Sequence, residues 1–138
     1  MFEIKKDKTK WIILGTGQGW ENAPNISEKI IFALNDFVHT EKYNIKPDIL
    51  CIMDVLDEKP QIVAGFNNLQ DIIKKINNLK IPLIAPYQYE EIPLSEAFPL
   101  KECFDKFGQL YFSNTIAYMI AYALLKGAID GGLAVPHG

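Results

Sequence analysis

Three glycines spaced two apart, Gly15, Gly17 and Gly19, close the apolar run Trp11–Leu14 and are the residues best suited to chemistry. Glycine lets a chain turn sharply and bring its backbone close to a ligand. Successive N–H groups freed in this way line a concave, weakly positive surface, whose usual guest is phosphate or another anion. The spacing falls short of the full dinucleotide fingerprint, because the third glycine comes early and no amphipathic helix follows directly. The same residues also suit an ordinary turn after a core strand.

A second receptive surface lies at Phe112-Ser113-Asn114-Thr115, where an apolar helix opens with free N–H groups and three short polar side chains. Plain helix capping is the alternative reading. Carboxylates suited to acid-base or metal work are Asp36, after Leu34-Asn35, and Asp54, after Met53. Asp57 and Glu58 read better as a solvated turn. The histidines are His39 and His137, and a lone histidine such as His39 reads as a packing or surface residue. All the basic residues are Lys. Bidentate guanidinium clamps on phosphate are therefore excluded, and the pattern points to modest affinity or a metal-bridged ligand.

Positioning these residues requires strands whose tips share one edge. Four apolar runs have strand length: Trp11–Leu14, Ile30–Leu34, Ile49–Met53 and Ile81–Ala85. The first and third are nearly continuous hydrophobes, as expected of parallel strands covered on both faces. The first three end in Gly15-Thr16-Gly17, Asn35-Asp36 and Asp54, and in an open parallel sheet such carboxyl ends converge on one crevice. For the second run, Ser27 capping a helix through Ile30, Ile31 and Leu34 is the competing assignment. Glu21–Ser27 contains Pro24 and is too short for a crossover helix.

Asn68–Leu79 reads as an amphipathic helix with Leu69, Ile72, Ile73 and Ile76 inward, capped by Asn67 or Asn68. Pro86 to Pro99, with three prolines, reads as a loop or lid. Thr115–Lys126 reads as a helix capped by Ser113 or Asn114 and stopped by Gly127. With no polar face it must lie buried between layers.

The bulk properties fit a single domain. At 138 residues, with 49 % hydrophobic and 22 % charged residues, the chain has the composition of a globular protein with a sizeable core. A net charge of −3 gives no reason to expect nucleic acid or an anionic membrane as partner. The cluster Lys5, Lys6, Lys8 and Lys10 reads as a solvated lead-in to the first strand. Cys51 and Cys103 are too few for a disulfide framework and lack metal spacing, and Cys51 reads as a core hydrophobe. Gly108–Leu125 is uncharged, yet Gln109, Ser113, Asn114 and Thr115 break it short of a spanning helix. No secretory signal opens the chain, and a cytoplasmic protein is expected, in the host cytoplasm if viral.

The glycine loop, Leu34-Asn35-Asp36, Pro47-Asp48-Ile49-Leu50 leading to Met53-Asp54, and Phe112-Ser113-Asn114-Thr115-Ile116-Ala117-Tyr118 form one combination. It resembles small phage and bacterial proteins with a hydroxymethylpterin-diphosphokinase-like domain, and more distantly the bacterial sialyltransferases that use a CMP-sugar donor. Pattern and resemblance together predict an α/β fold. It is a three-layer Rossmann-like domain with a mostly parallel sheet and a buried C-terminal helix. The resemblance implies that Gly15, Thr16, Gly17 and Gln18 hold phosphate or ribose, with Asn35 and Asp36 on the nucleotide or sugar. It implies that Ser113, Asn114 and Thr115 bind phosphate or base, and that Asp54 serves as catalytic candidate or ligand to Mg2+.

The family's buried helix is followed by a strand ending in a Gly-Val-Asp type motif. Ala128–Gly138 carries no such run and reads as a truncated or diverged tail, with Asp130 not flanked as that motif requires. Three functions are weighed: transfer from a nucleotide or nucleotide-sugar, non-catalytic binding of a small ligand, and an oligomeric scaffold of phage origin. The expected partner is a nucleotide or nucleotide-sugar, with self-association open and neither nucleic acid nor membrane expected.

Overall fold

Apolar runs too short for helices and covered on both faces form a parallel sheet. The computed structural model describes residues 4–15, 21, 25–56, 66, 68–108, 114–129 and 132–135. Its strands are β1 (Trp11–Leu14), β2 (Ile30–Leu34), β3 (Ile49–Cys51), β4 (Leu83–Ala85), β5 (Ser95–Ala97) and β6 (Leu133–Ala134). They lie in the order β5-β4-β3-β2-β1-β6, every pair parallel. The helices are α1 (Thr40–Tyr43), α2 (Leu69–Leu79), α3 (Leu100–Phe107) and α4 (Thr115–Leu125), with short 3-10 turns at Ile26–Glu28 and Asn35–Val38.

Side-chain alternation divides the core in two. Ile12, Leu14, Ile31, Ala33, Leu50 and Leu83 face one side, where Phe37, Val38 and the buried stripe of α2 (Ile72, Ile73, Ile76, Leu79) cover them. Trp11, Ile13, Ile30, Phe32, Ile49 and Cys51 face the other, under Cys103 of α3 and Met119, Ala121, Tyr122 and Ala123 of α4. This is the expected three-layer α/β arrangement.

The strand order explains which helices go where. From β1 to β5 the chain steps in one direction, then returns across the sheet to lay β6 beside β1. Right-handed crossovers put connections on opposite faces when the direction of travel reverses. Accordingly α3 and α4 cover the face that α2 does not.

Both long helices open on an asparagine. Asn68 Oδ1 accepts from Asp71 N at 3.0 Å, and Asn114 Oδ1 accepts from Ala117 N at 2.9 Å. No residue of α4 is fully exposed, as its all-round apolar sequence requires. Gly127 follows with φ +126°, and a Cβ there would approach Lys8 O to 3.0 Å. Among the described residues, no helix is long and apolar enough to cross a membrane.

Three expectations need correction, and one competing assignment is excluded. The 128–138 segment is not without a strand, since β6 pairs with β1 through Trp11↔Leu133 and Ile12↔Ala134. Trp11 N also donates to Gly132 O at 2.8 Å. Its two residues are too few to show as an apolar run. The 86–99 segment holds edge strand β5, whose Ser-Glu-Ala sequence has no strand signature. Buried Ser95 shapes the loop before it, its Oγ donating to Ile92 O at 2.7 Å and accepting from Tyr89 N at 2.8 Å.

The Ser27-capped helix does not form, because Ile30–Leu34 pairs with both β1 and β3. Lys6 is not simply solvated. Its ammonium donates to Asp48 Oδ2 and Lys29 O, both at 2.8 Å, and Asp48 Oδ2 also accepts from Ile31 N.

Candidate functional site

The reversal in strand order sits between β1 and β6, and in open α/β sheets ligands bind beyond the carboxyl ends at such a switch point. Gly15 occupies the tip of β1. A Cβ built on it would lie 3.4 Å from Ile116 Cδ1, in the first turn of α4. Two segments about a hundred residues apart in sequence therefore meet at one rim. Thr16, Gly17, Gln18 and Ser113 lie outside the described residues.

Helix geometry leaves the first-turn N–H groups without intrahelical partners, and the helix dipole makes that end weakly positive. The Asn114 side chain takes the Ala117 N–H. The N–H groups of Thr115 and Ile116 have no intrahelical acceptor by helix geometry, and among the described residues neither donates a backbone hydrogen bond. An anion at this rim would meet backbone donors without needing a cationic side chain.

Asn35 stands at the neighbouring tip. Register pairs Leu14 with Ala33, which places Asn35 just past the end of β2. It adopts φ +36°, a left-handed conformation that asparagine tolerates better than most residues. Its Oδ1 is buried and finds no hydrogen-bond partner among the described residues. Such an orphan costs about 1–3 kcal/mol of desolvation. A fixed acceptor retained at that cost suits a ligand hydroxyl or amide donor.

Asp36 is differently placed. Its carboxylate accepts from Tyr43 Oη and from Lys42 Nζ, the latter at 3.2 Å. Burial works to raise its pKa, but the Tyr43 and Lys42 hydrogen bonds outweigh it and hold the group below the usual carboxylate range. Asp36 thus joins the Asn35–Val38 turn to α1. Asp54 follows β3 after Met53 and is exposed. His39 stacks on Phe66 with ring centroids 4.9 Å apart, in keeping with a packing residue.

Among the described residues, no group of three or more His, Cys, Asp or Glu could hold a metal ion. Magnesium needs less, since one carboxylate with phosphate oxygens and water is an ordinary arrangement, which Asp54 would suit. Cys51 is fully buried, and burial raises its thiol pKa well above the ordinary value, so it serves packing.

On the outermost strand β5, sequence reading passed over Glu96. It sits on β5 paired with core residue Ile84, and only that pairing reveals that it projects from the sheet's α4 side. No family model, curated protein or solved structure matches this chain.

Proposed function

We propose that the carboxyl edge of the sheet binds a nucleotide or nucleotide-sugar, its phosphates lying between the tip of β1 and the first turn of α4. The observation that carries this reading is the meeting of Gly15 with Ile116. It sets a strand tip against a helix N-terminus at the switch point, an arrangement that favours phosphate. The buried Asn35 Oδ1 at the neighbouring strand tip, without a hydrogen-bond partner among the described residues, suits a ribose or sugar hydroxyl. Phosphoryl or glycosyl transfer is the reaction such placement would serve, because it depends mainly on positioning and charge stabilisation. Asp54 is the carboxylate we assign to Mg2+ or to a substrate hydroxyl.

A second reading, binding without turnover, is favoured by one observation. The Asp36 carboxylate is held by Tyr43 and Lys42, which removes one of the two candidate bases. Turnover of a nucleotide or nucleotide-sugar in the presence of magnesium separates the two readings.

Titration calorimetry with nucleoside phosphates and nucleotide-sugars tests the site itself. Asn114→Asp keeps a good N-cap but sets a negative charge at the phosphate position. Affinity should fall about tenfold or more, the usual scale for a lost charge-assisted contact, while the melting temperature holds. Asn35→Gly preserves the left-handed backbone and removes the orphan oxygen, so affinity should fall with no loss of stability. Unchanged affinity in both variants would remove these residues from the site.

A further inference from the structure

A cavity of about 170 Å3 opens at the amino edge of the sheet, on the side covered by α4. Its floor is apolar and buried: Trp11, Ile30, Ile49 and Tyr122. These side chains are fixed by mutual packing. Trp11 and Tyr122 meet edge to face at 6.2 Å, and Trp11 Nε1 donates to Lys8 O at 2.7 Å. Ile4 and three charged residues, Lys8, Lys126 and Glu96, complete the lining. The Lys126 ammonium lies 5.5 Å from the Tyr122 ring centroid. The Tyr122 hydroxyl stays protonated, held up chiefly by burial and further by the Glu96 carboxylate.

Those charges are the informative part. Among the described residues, Glu96, Lys8 and Lys126 make no side-chain hydrogen bond or ion pair. Lys126 complements the end of the α4 dipole, which explains one cation. Neither Lys8 nor Glu96 caps a helix end, although Lys8 is exposed and a charge on edge strand β5 also discourages edge-to-edge pairing. Glu96 in particular stands on the core-facing side of a strand, where an apolar residue would pack better.

An apolar cavity of about 150 Å3 is large enough to take a benzene ring. Here the wall adds two cations and one anion. We propose that this cavity binds a free apolar amino acid, its side chain on the Trp11–Tyr122 floor. The ligand carboxylate lies between Lys8 and Lys126, and its ammonium lies on Glu96. This site is on the opposite edge of the sheet from the nucleotide site and does not depend on it.

Tryptophan fluorescence of a Trp20→Phe background, in which Trp11 is the remaining indole, reports occupancy directly. L-phenylalanine should give a saturable change with Kd of about 1 mM or tighter, a reasonable strength for so small a ligand. 3-Phenylpropionate lacks the ammonium and phenethylamine lacks the carboxylate, and each should bind at least about tenfold more weakly. Glu96→Gln should abolish the preference for phenylalanine over 3-phenylpropionate while leaving far-ultraviolet circular dichroism unchanged. The proposal is overturned if phenylalanine gives no saturable change, if either truncated analogue binds as well, or if Glu96→Gln leaves the preference intact.

Discussion

At the scale of single residues, two neighbours at the end of β2 differ in how far the fold engages them. Asn35 Oδ1 is buried with no hydrogen-bond partner among the described residues, while Asp36 is tied to Tyr43 and Lys42. The Asp36 interaction has a definite pH signature. Its folded-state pKa is lowered, so the unfolded chain takes up the proton more readily. Its stabilising contribution is therefore complete above the unfolded value of about 3.9 and is lost as pH falls through the folded-state value. Asp36→Asn should lower stability at neutral pH, and the gap from wild type should close in acid. Urea denaturation at neutral and acid pH measures this, and a gap independent of pH would contradict it. Some of this scale was readable in advance. Short polar residues before an apolar helical run predict a cap at Ser113 or Asn114, and the structure uses Asn114. The engagement of Asp36 was not readable, because its partners belong to a helix of one turn that leaves no periodic pattern.

At the scale of elements, strands with apolar cores were legible and strands without them were not. β1 and β2 match their hydrophobic runs, whereas β3 ends at Cys51 and β4 begins at Leu83, inside the runs expected. β5 and β6 exist because of tertiary position. β6 sits where Gly132 lets the chain press against the lead-in to β1. A Cβ at Gly132 would collide with the Thr9 carbonyl oxygen. Gly132→Ala should therefore destabilise the protein by about 1–3 kcal/mol, the usual cost of overpacking against backbone. Denaturant melts would show it, and a wild-type midpoint would mean that β6 contributes little to the sheet. α3 also escaped sequence reading. Leu100, Cys103, Phe104 and Phe107 recur on one face at helical spacing, but that face is only partly covered, with Cys103 buried, Phe107 packed against the core and Leu100 and Phe104 left exposed.

At the scale of the whole molecule, one parallel sheet presents two edges of different character. The carboxyl edge gathers a strand tip, a helix N-terminus and a buried amide oxygen with no hydrogen-bond partner among the described residues. The amino edge gathers lysines: Lys8 and Lys126 line one cavity, while Lys5, Lys6, Lys46 and Lys80 line another with Asp48. Convergence at the carboxyl edge was foreseeable from polar residues following apolar runs, because parallel strands must end together. The amino-edge cavities were not, since their walls come from residues that precede strands or end helices and share no motif.

The central claim is that the carboxyl edge receives the nucleotide. Backbone amide chemical-shift mapping during titration with a nucleoside diphosphate and magnesium tests it most directly. Saturable shifts should concentrate at Gly15, Asn35, Thr115 and Ile116, with Lys46, Lys80 and Lys126 unmoved. Shifts confined to those lysines, or none at any nucleotide concentration, would contradict it.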